Sequence, residues 1–509
     1  MTSPLPYCGT TDPNQTLVFG APGCTGVAPY YANPTKHDFE PRIGFAWDPR
    51  GDGKMAVRGG FAIFDVFALP GFFYTQQGIQ TPFFLVGTVS KPANGIGVLG
   101  TDPTSAFAQI HPPQPGCASP VGTCALTAGF MEPNPKRNYV EQWNLNVQRQ
   151  ITPSLTATLG YVGSHGVHML IRGDDGDMVM PTQTSAGWLW PSNPTGKDLR
   201  PNPNFGTIRF MMFGTDSSYE AGQVNIQKRM SHGFQFGGSY TYSKSMDNDS
   251  ATIAGDAFGN SITSWFWFAP QISRAVSDYN VTHSAAINGI WDVPGAKSLH
   301  GPASALLNGW ELGSILKLNS GIPTTPLIGG DPMGVQNNGS DTFGIPDRVA
   351  GCDPVNHNYK SNPNGIFLGY INPSCFTLPQ ATPAIASQCV PFGFSPPGSK
   401  KPNPGIAGTC SNLLGNASRN SIVGPSLFNL DFSVYKNFAI RKISESSSLQ
   451  FRAEFFNILN HANFAPPLPF FGASQSQLFD QTGASTGAGG LQFLVTQPRD
   501  IQFALKLIW

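Results

Sequence analysis

The sequence predicts an all-β protein: an antiparallel transmembrane β-barrel of outer-membrane type, and an incomplete one. Three observations predict it: a charge-poor composition rich in Gly and Pro, strict two-residue alternation of apolar and polar side chains, and short connections alternating with very long ones. The 509 residues carry 30 Lys+Arg against 30 Asp+Glu, a net charge of zero that argues against a nucleic-acid binder or an acidic tail protein. Charged residues are 12% of the chain, about half the usual share, while Gly (58) and Pro (46) make up about a fifth of it. No run of roughly 18 apolar residues occurs, so helical spans are excluded and any membrane must be crossed by strands.

The strands follow from period. At the C-terminus Ile501, Phe503, Leu505, Leu507 and Trp509 alternate with Gln502, Ala504, Lys506 and Ile508, which makes a one-sided strand of about membrane-spanning length. Leu449, Phe451, Ala453 and Phe455 alternate with Gln450, Arg452 and Glu454, and Phe428, Leu430, Phe432 and Val434 with Asn429, Asp431 and Ser433. The same grammar recurs over 155–161 and 234–243, and further strands are expected at 42–48, 55–66, 138–149, 166–172, 207–213, 219–230, 281–292 and 309–319. That is about thirteen strands.

Gly51-Asp52-Gly53, Thr152-Pro153 and Ser231-His232-Gly233 read as hairpin turns, whereas residues 92–137, 173–206, 244–280 and 320–426 are long connections rich in Pro, Gly, Asn and Ser. One short rim and one elaborated rim is the asymmetry of an outer-membrane barrel. Lipid demands an apolar outer face and a closed ladder, while a wet interior permits polar groups, so Asp431, Arg452 and Glu454 are expected to face the lumen. Asp431 and Glu454 there either line a permeation path or pair with Arg452, and the pairing is the favoured reading. Trp47, Trp143, Trp291, Trp310, Tyr370 and Trp509 are either interfacial girdle residues or core aromatics.

Eight cysteines fall in local couples, Cys8 and Cys24, Cys117 and Cys124, Cys352 and Cys375, Cys389 and Cys410, each in a Pro/Gly/Asn-rich stretch. Nearest-neighbour pairing makes four loop staples of an oxidising compartment, although sequence alone does not settle connectivity. Other chemistry is set aside: Gly51-Asp52-Gly53-Lys54 lacks phosphate-loop spacing, His165 and His168 on a turn lack a third ligand, and Asp174, Asp175 and Asp177 lack EF-hand spacing and read as a solvated loop tip. Residues 474–477 and 483–490 read as a flexible loop. No catalytic motif and no cofactor or metal site is expected.

Several segments resemble a known family. Pro41-Arg42-Ile43-Gly44-Phe45-Ala46-Trp47-Asp48-Pro49, Val57-Arg58-Gly59-Gly60-Phe61, Tyr139-Val140-Glu141-Gln142-Trp143-Asn144-Leu145, Asp278-Tyr279-Asn280-Val281-Thr282-His283 and Phe451-Arg452-Ala453-Glu454-Phe455-Phe456-Asn457 are similar to the barrel of Oar-like TonB-dependent outer-membrane receptors. The resemblance covers most of residues 40–509. It implies a 22-stranded barrel with an N-terminal plug, an energy-coupling complex as partner, and uptake of a ligand that sequence does not identify. It also implies that Ile501, Phe503, Leu505, Leu507 and Trp509 form the signal read by the barrel-assembly machinery. Residues 1–40 show neither plug nor signal peptide, so the chain is expected to be the C-terminal part of such a barrel, with residues 41–509 supplying strands and long extracellular loops. On its own it is then transport-incompetent. A structural or adhesive surface protein is the alternative, and a secreted soluble β-protein a third.

Overall fold

The computed structural model describes residues 38–66, 128–132, 135–173, 175–176, 178–192, 208–251, 266, 268–295, 301–335, 344–359, 368–439, 447–468, 476–491 and 493–508. Eleven strands follow one another across a single antiparallel sheet in chain order. They are β1 (Arg42–Trp47), β2 (Met55–Asp65), β3 (Tyr139–Thr152), β4 (Leu155–Gly173), β5 (Ile208–Ser231), β6 (Phe234–Asp247), β7 (His283–Asp292), β8 (Trp310–Asn319), β9 (Leu427–Ala439), β10 (Ser448–Phe456) and β11 (Asp500–Ile508). Two short strands, Ala128–Met131 and Ala275–Val276, pair with β5 and β6 beside this path. Among the described residues β1 and β11 are the two ends of the order and do not pair with each other, so the wall is open.

Connections alternate without exception. Residues 48–54, 153–154, 232–233, 293–309 and 440–447 join strands at one rim, and 66–138, 174–207, 248–282, 320–426 and 457–499 join them at the other. The short turns have local causes. The Asp48 carboxylate accepts from the backbone N–H of Gly53 (2.8 Å) and Arg50 (3.1 Å), and those amides hold its pKa below the ordinary carboxylate value. His232 (φ 54°) and Gly233 (φ 72°) form a two-residue turn with both φ positive, the hand that matches strand twist. At Gly233 a Cβ would lie 3.0 Å from the Asp292 carbonyl.

Two pairs of expected strands merge. Residues 155–161 and 166–172 are one strand, β4, and 207–213 and 219–230 are one strand, β5. The polar stretch between each pair looks like a turn in sequence, but β4 and β5 pair with each other along this stretch, so its backbone groups are satisfied without one. The register shifts between Gly166 and Met169, and His168 sits at φ 52° in that irregularity, so the two histidines lie within a strand and not on a turn. Thirteen expected segments thereby become eleven strands.

Register assigns every strand residue to a face, because directly opposed residues project to the same side. From β1 to β11 one face carries Phe45, Phe61, Leu145, Leu159, Val224, Tyr240, Ile287, Leu316, Leu430, Phe451 and Leu505. The other carries Ala46, Arg58, Asn146, Gly160, Gln223, Thr241, Ser284, Lys317, Asn429, Gln450 and Lys506. The apolar face is bare: Leu159 is 63% exposed, Phe503 66% and Leu505 70%. An unbroken apolar face of this extent suits hydrocarbon and not water. One close approach on it is specific, since the Trp143 indole lies across Gly163, where a Cβ would come within 2.3 Å of the ring. No helix among the described residues is long and apolar enough to cross a membrane.

The buried core lies in the long connections, beyond the sheet. Met178, Trp190, Leu327, Val335, Ile345, Tyr370, Phe376, Ile422, Leu478 and Leu491 form one cluster drawn from the 174–207, 320–426 and 457–499 connections, with Phe266 from 248–282. Short ladders knit these connections together: Leu327–Ile328 runs parallel to Gln477–Phe479, and Leu368–Gly369 runs antiparallel to Gly490–Leu491. The cap that these connections form decides one open reading, that of Tyr370 as a core aromatic, and corrects two expectations. Tyr370 is 5% exposed inside it and not at a membrane interface; its hydroxyl donates to the Val423 carbonyl (2.8 Å), and burial pushes its acidity down. Asp175 is 3% exposed, because the chain turns inward toward buried Met178 and Val179 instead of forming a solvated tip. The 474–490 region is structured where it is described, with Ser476 and Leu478 buried, because the ladder to Leu327–Ile328 pairs its backbone.

Candidate functional site

The polar face is the candidate site. It is concave over β6 to β10, where a pocket of about 360 Å³ is lined by Gln235, Asn288, Glu311, Tyr435, Gln450 and Arg452. The side chains bond laterally in a ladder: Arg452 Nε donates to Gln450 Oε1 (2.6 Å), Gln450 Nε2 to Asn437 Oδ1 (2.9 Å), and Tyr435 Oη to Glu454 Oε1 (3.3 Å). Farther along, Arg58 donates to Gln148 (3.0 Å) and Asn146 to Asn144 (3.1 Å). Such a surface offers donors and acceptors to water, a solute or a polar protein, but no nucleophile paired with a base. Among the described residues no group of three His, Cys, Asp or Glu could hold a metal.

Asp431, Arg452 and Glu454 share this polar face. The favoured Asp431–Arg452 pair does not form, because Arg452 lies opposite Tyr435, four residues along β9 from Asp431. Asp431 instead accepts from Asn429 Nδ2 (2.9 Å) and from the Asn457 N–H (2.8 Å) at the turn beyond β10, and the Arg452 guanidinium stacks 5.5 Å from the centre of the Tyr435 ring. Ile501, Phe503, Leu505 and Leu507 line the apolar face of the edge strand β11. Cys352 is bonded to Cys375 and Cys389 to Cys410, both within the 320–426 connection. Trp509, Cys8, Cys24, Cys117, Cys124, Asp174 and Asp177 lie outside the described residues.

The cap is fastened to the wall by a polar knot. The Arg419 guanidinium, 2% exposed, contacts the carboxylate of Asp247 at the end of β6 and donates to Asp278 Oδ1 (2.8 Å), the Ser273 carbonyl (3.0 Å) and the Asp247 carbonyl (3.0 Å). Asn420 adds bonds to Asp278 Oδ1 (2.6 Å) and the Val276 carbonyl (2.7 Å). Elsewhere in the cap burial pushes the Asp347 carboxyl up, while the Val355 N–H and His357 hold Asp353 below its ordinary value. Sequence reasoning missed the knot, whose partners are 141 and 172 residues from Arg419. Two signals point to it: Arg419 is the sole charged residue between Lys401 and Asp431, and Asp278 opens one of the family-like segments.

Residues 6–502 match the family described as outer membrane beta barrel domain. The chain belongs to that family. It is therefore an outer-membrane β-barrel protein, and the bare apolar face is its lipid-facing surface. No curated protein matches the sequence. Solved structures to which the chain is similar include the outer membrane transporter YddB from Escherichia coli (10% identity, TM-score 0.40, covering 91% of this chain and 39% of that one). FpvA of P. aeruginosa shares 8% identity (TM-score 0.36; 92% and 32% covered), as does the ferric-catecholate import receptor Fiu from K12 E. coli (TM-score 0.36; 92% and 34% covered). The chain thus spans about two fifths or less of the length of these structures.

Proposed function

We propose that this barrel wall is the C-terminal part of an Oar-like TonB-dependent receptor, which in its complete form takes up a scarce or large ligand across the outer membrane. The observation that carries the reading is the pairing of a continuous apolar outer face with a concave polar inner face beneath a folded extracellular cap. Such a wall encloses a polar passage, and the cap's four interlocked connections supply the exposed rim with a shaped surface. The open ends at β1 and β11 leave backbone groups that hydrocarbon does not satisfy, so further strands complete the wall in the membrane. A plug and an energy-coupling complex would then drive transport, the barrel-assembly machinery would read β11, and no step of the function is enzymatic.

The test is deletion of the gene in the producing organism, followed by growth on a panel of ferric siderophores, corrinoids and glycans as limiting nutrients. A receptor loses growth on one nutrient, and a strain lacking the energy-coupling complex loses growth on the same one. Unchanged growth on the whole panel, with lost surface adhesion, would replace transport with the adhesive reading.

A further inference from the structure

Over β6 to β11 the polar face separates its charges by sign at the short-turn end. Asp292 and Glu311 stand directly opposite each other where β7 and β8 meet the 293–309 connection. Arg452 and Lys506 occupy the same end of β10 and β11. Tyr435 lies between the two signs, opposite Glu311 on one side and Arg452 on the other. Like charges directly opposed across a ladder repel, so the Asp292–Glu311 pair favours a cation beside it. Farther from this rim the same face carries Asp247, held in the knot, together with Lys317, Asp431, Glu454 and Asp500. Of these Glu454 comes nearest to Arg452 along the strand, and it accepts from the Tyr435 hydroxyl (3.3 Å).

The pocket of about 360 Å³ includes Glu311 and Arg452 in its lining, and its volume lies in the range of small-ligand sites. Glycine makes its floor: a Cβ on Gly313 would come within 2.4 Å of Ser433 Oγ, and one on Gly237 within 2.5 Å of Asn288 Oδ1. Arg452 is fixed by its Nε bond to Gln450 Oε1 (2.6 Å) and by the Tyr435 ring, whose centre is 5.5 Å away. Among the described residues its two terminal nitrogens have no hydrogen-bond partner, and neither has the Glu311 carboxylate. A guanidinium held in place with an open fork suits a carboxylate bound by two parallel bonds.

We infer that this pocket binds a short peptide with free termini, a dipeptide or tripeptide, with its carboxylate on the Arg452 fork and its ammonium at Glu311 and Asp292. Neighbouring strands are about 4.8 Å apart, so Glu311 and Arg452, two strands apart, have backbones separated by roughly 10 Å. An extended dipeptide spans about 7 Å, which lets each terminus meet one of them. The side-chain amides of Gln235 and Asn288, which also line the pocket, offer donors and acceptors to the peptide bonds. A polyanion would meet the Asp292 and Glu311 carboxylates, and a neutral sugar would leave both charged ends unpaired, so neither satisfies the pocket as a dipolar ligand does. The inference rests on the reading of the polar face as a passage. It places a selective site at the periplasmic exit, the side that short turns mark.

The test titrates trialanine, N-acetyltrialanine and trialanine amide into the full chain purified from outer membranes, with binding read by calorimetry. The parent should bind trialanine roughly tenfold or more tightly than either blocked peptide. Glu311→Gln should weaken trialanine and its amide but not the acetylated peptide, and Arg452→Gln should weaken trialanine and the acetylated peptide but not the amide. Lys317→Gln, on the same face outside the pocket, should leave all three unchanged. No binding of trialanine, equal binding of the three peptides by the parent, a substitution that weakens all three alike, or citrate or maltotriose bound as tightly as trialanine would each overturn the proposal. If deleting the gene costs growth on a nutrient while the purified chain binds no trialanine, the proposal fails and the receptor reading stands. If trialanine binds as expected and deletion costs no growth, the site stands and the receptor reading fails.

Discussion

Replacing Arg419 by Met should release the cap from the wall. The guanidinium makes five contacts: with Ser273, Ser250, Asp278 and twice with Asp247. The side chains of Asp247 and Asp278 are 3% and 1% exposed, so R419M leaves two carboxylates enclosed without the cation between them. Removing one partner of a buried ion pair costs about 3–5 kcal/mol, which exceeds the net worth of the bonds because desolvation of the survivors is no longer offset. Lysine keeps the charge but offers three donors in place of a planar fork, so R419K should lose about half as much. A barrel does not melt as one two-state unit, so the measurement is local: amide hydrogen exchange at Ser245, Ser277 and Asn420, whose N–H groups are bonded within the knot's surroundings. Exchange there should rise by at least two orders of magnitude in R419M, while amides of β2 and β3 stay protected. The reasoning is refuted if R419M leaves these amides within about 0.5 kcal/mol of the parent, or if β2 and β3 loosen equally, because then the knot is not what joins cap to wall.

Three further perturbations have defined outcomes. Phe503→Lys places a cation on the lipid-facing side of β11 and should destabilise the membrane-inserted state by about 2–4 kcal/mol in a urea titration, whereas Gln502→Lys on the polar side should be near neutral; equal effects would contradict the face assignment. Removing the Cys389–Cys410 bond, a separation of 21 residues, by a double Ala substitution frees about 3 kcal/mol of loop-closure entropy in the unfolded cap, and should expose 391–406 to protease while β3 and β4 resist. The Asp48 carboxyl, titrated by carbon NMR, should have its midpoint below 3.8. Its charge supports the β1–β2 turn fully above the unfolded carboxyl value, and that support is lost as pH falls through the lowered midpoint, with Asp48→Asn abolishing the dependence.

Alternation is a local property, and the sequence alone determined what depends on it. Because side chains change face at every residue, Phe503 against Gln502, or Leu145 against Asn144, decides which side meets lipid before any partner is known. Hairpin turns are equally local, which is why residues 51–53 and 232–233 are legible. The family-like segments are legible too, although not what they do: Asp278 belongs to a recognisable run, yet its partner Arg419 is 141 residues away.

Only the tertiary structure decided the rest, and always for a non-local reason. The Gly- and Ser-containing stretches 163–166 and 214–218 continue strands because neighbouring strands satisfy their backbone, not because their own side chains favour it. Tyr370, Asp175 and Ser476 are buried because four Pro- and Gly-rich connections, none periodic, fold against one another into a core that no single one could form. Arg452 turns to Tyr435 and Gln450 because register, not sequence proximity, sets its neighbours. The helical turn Pro302–Leu307 is placed against the lipid side by Trp310 and Lys436, which meet only when β8 and β9 pair across a connection of more than a hundred residues.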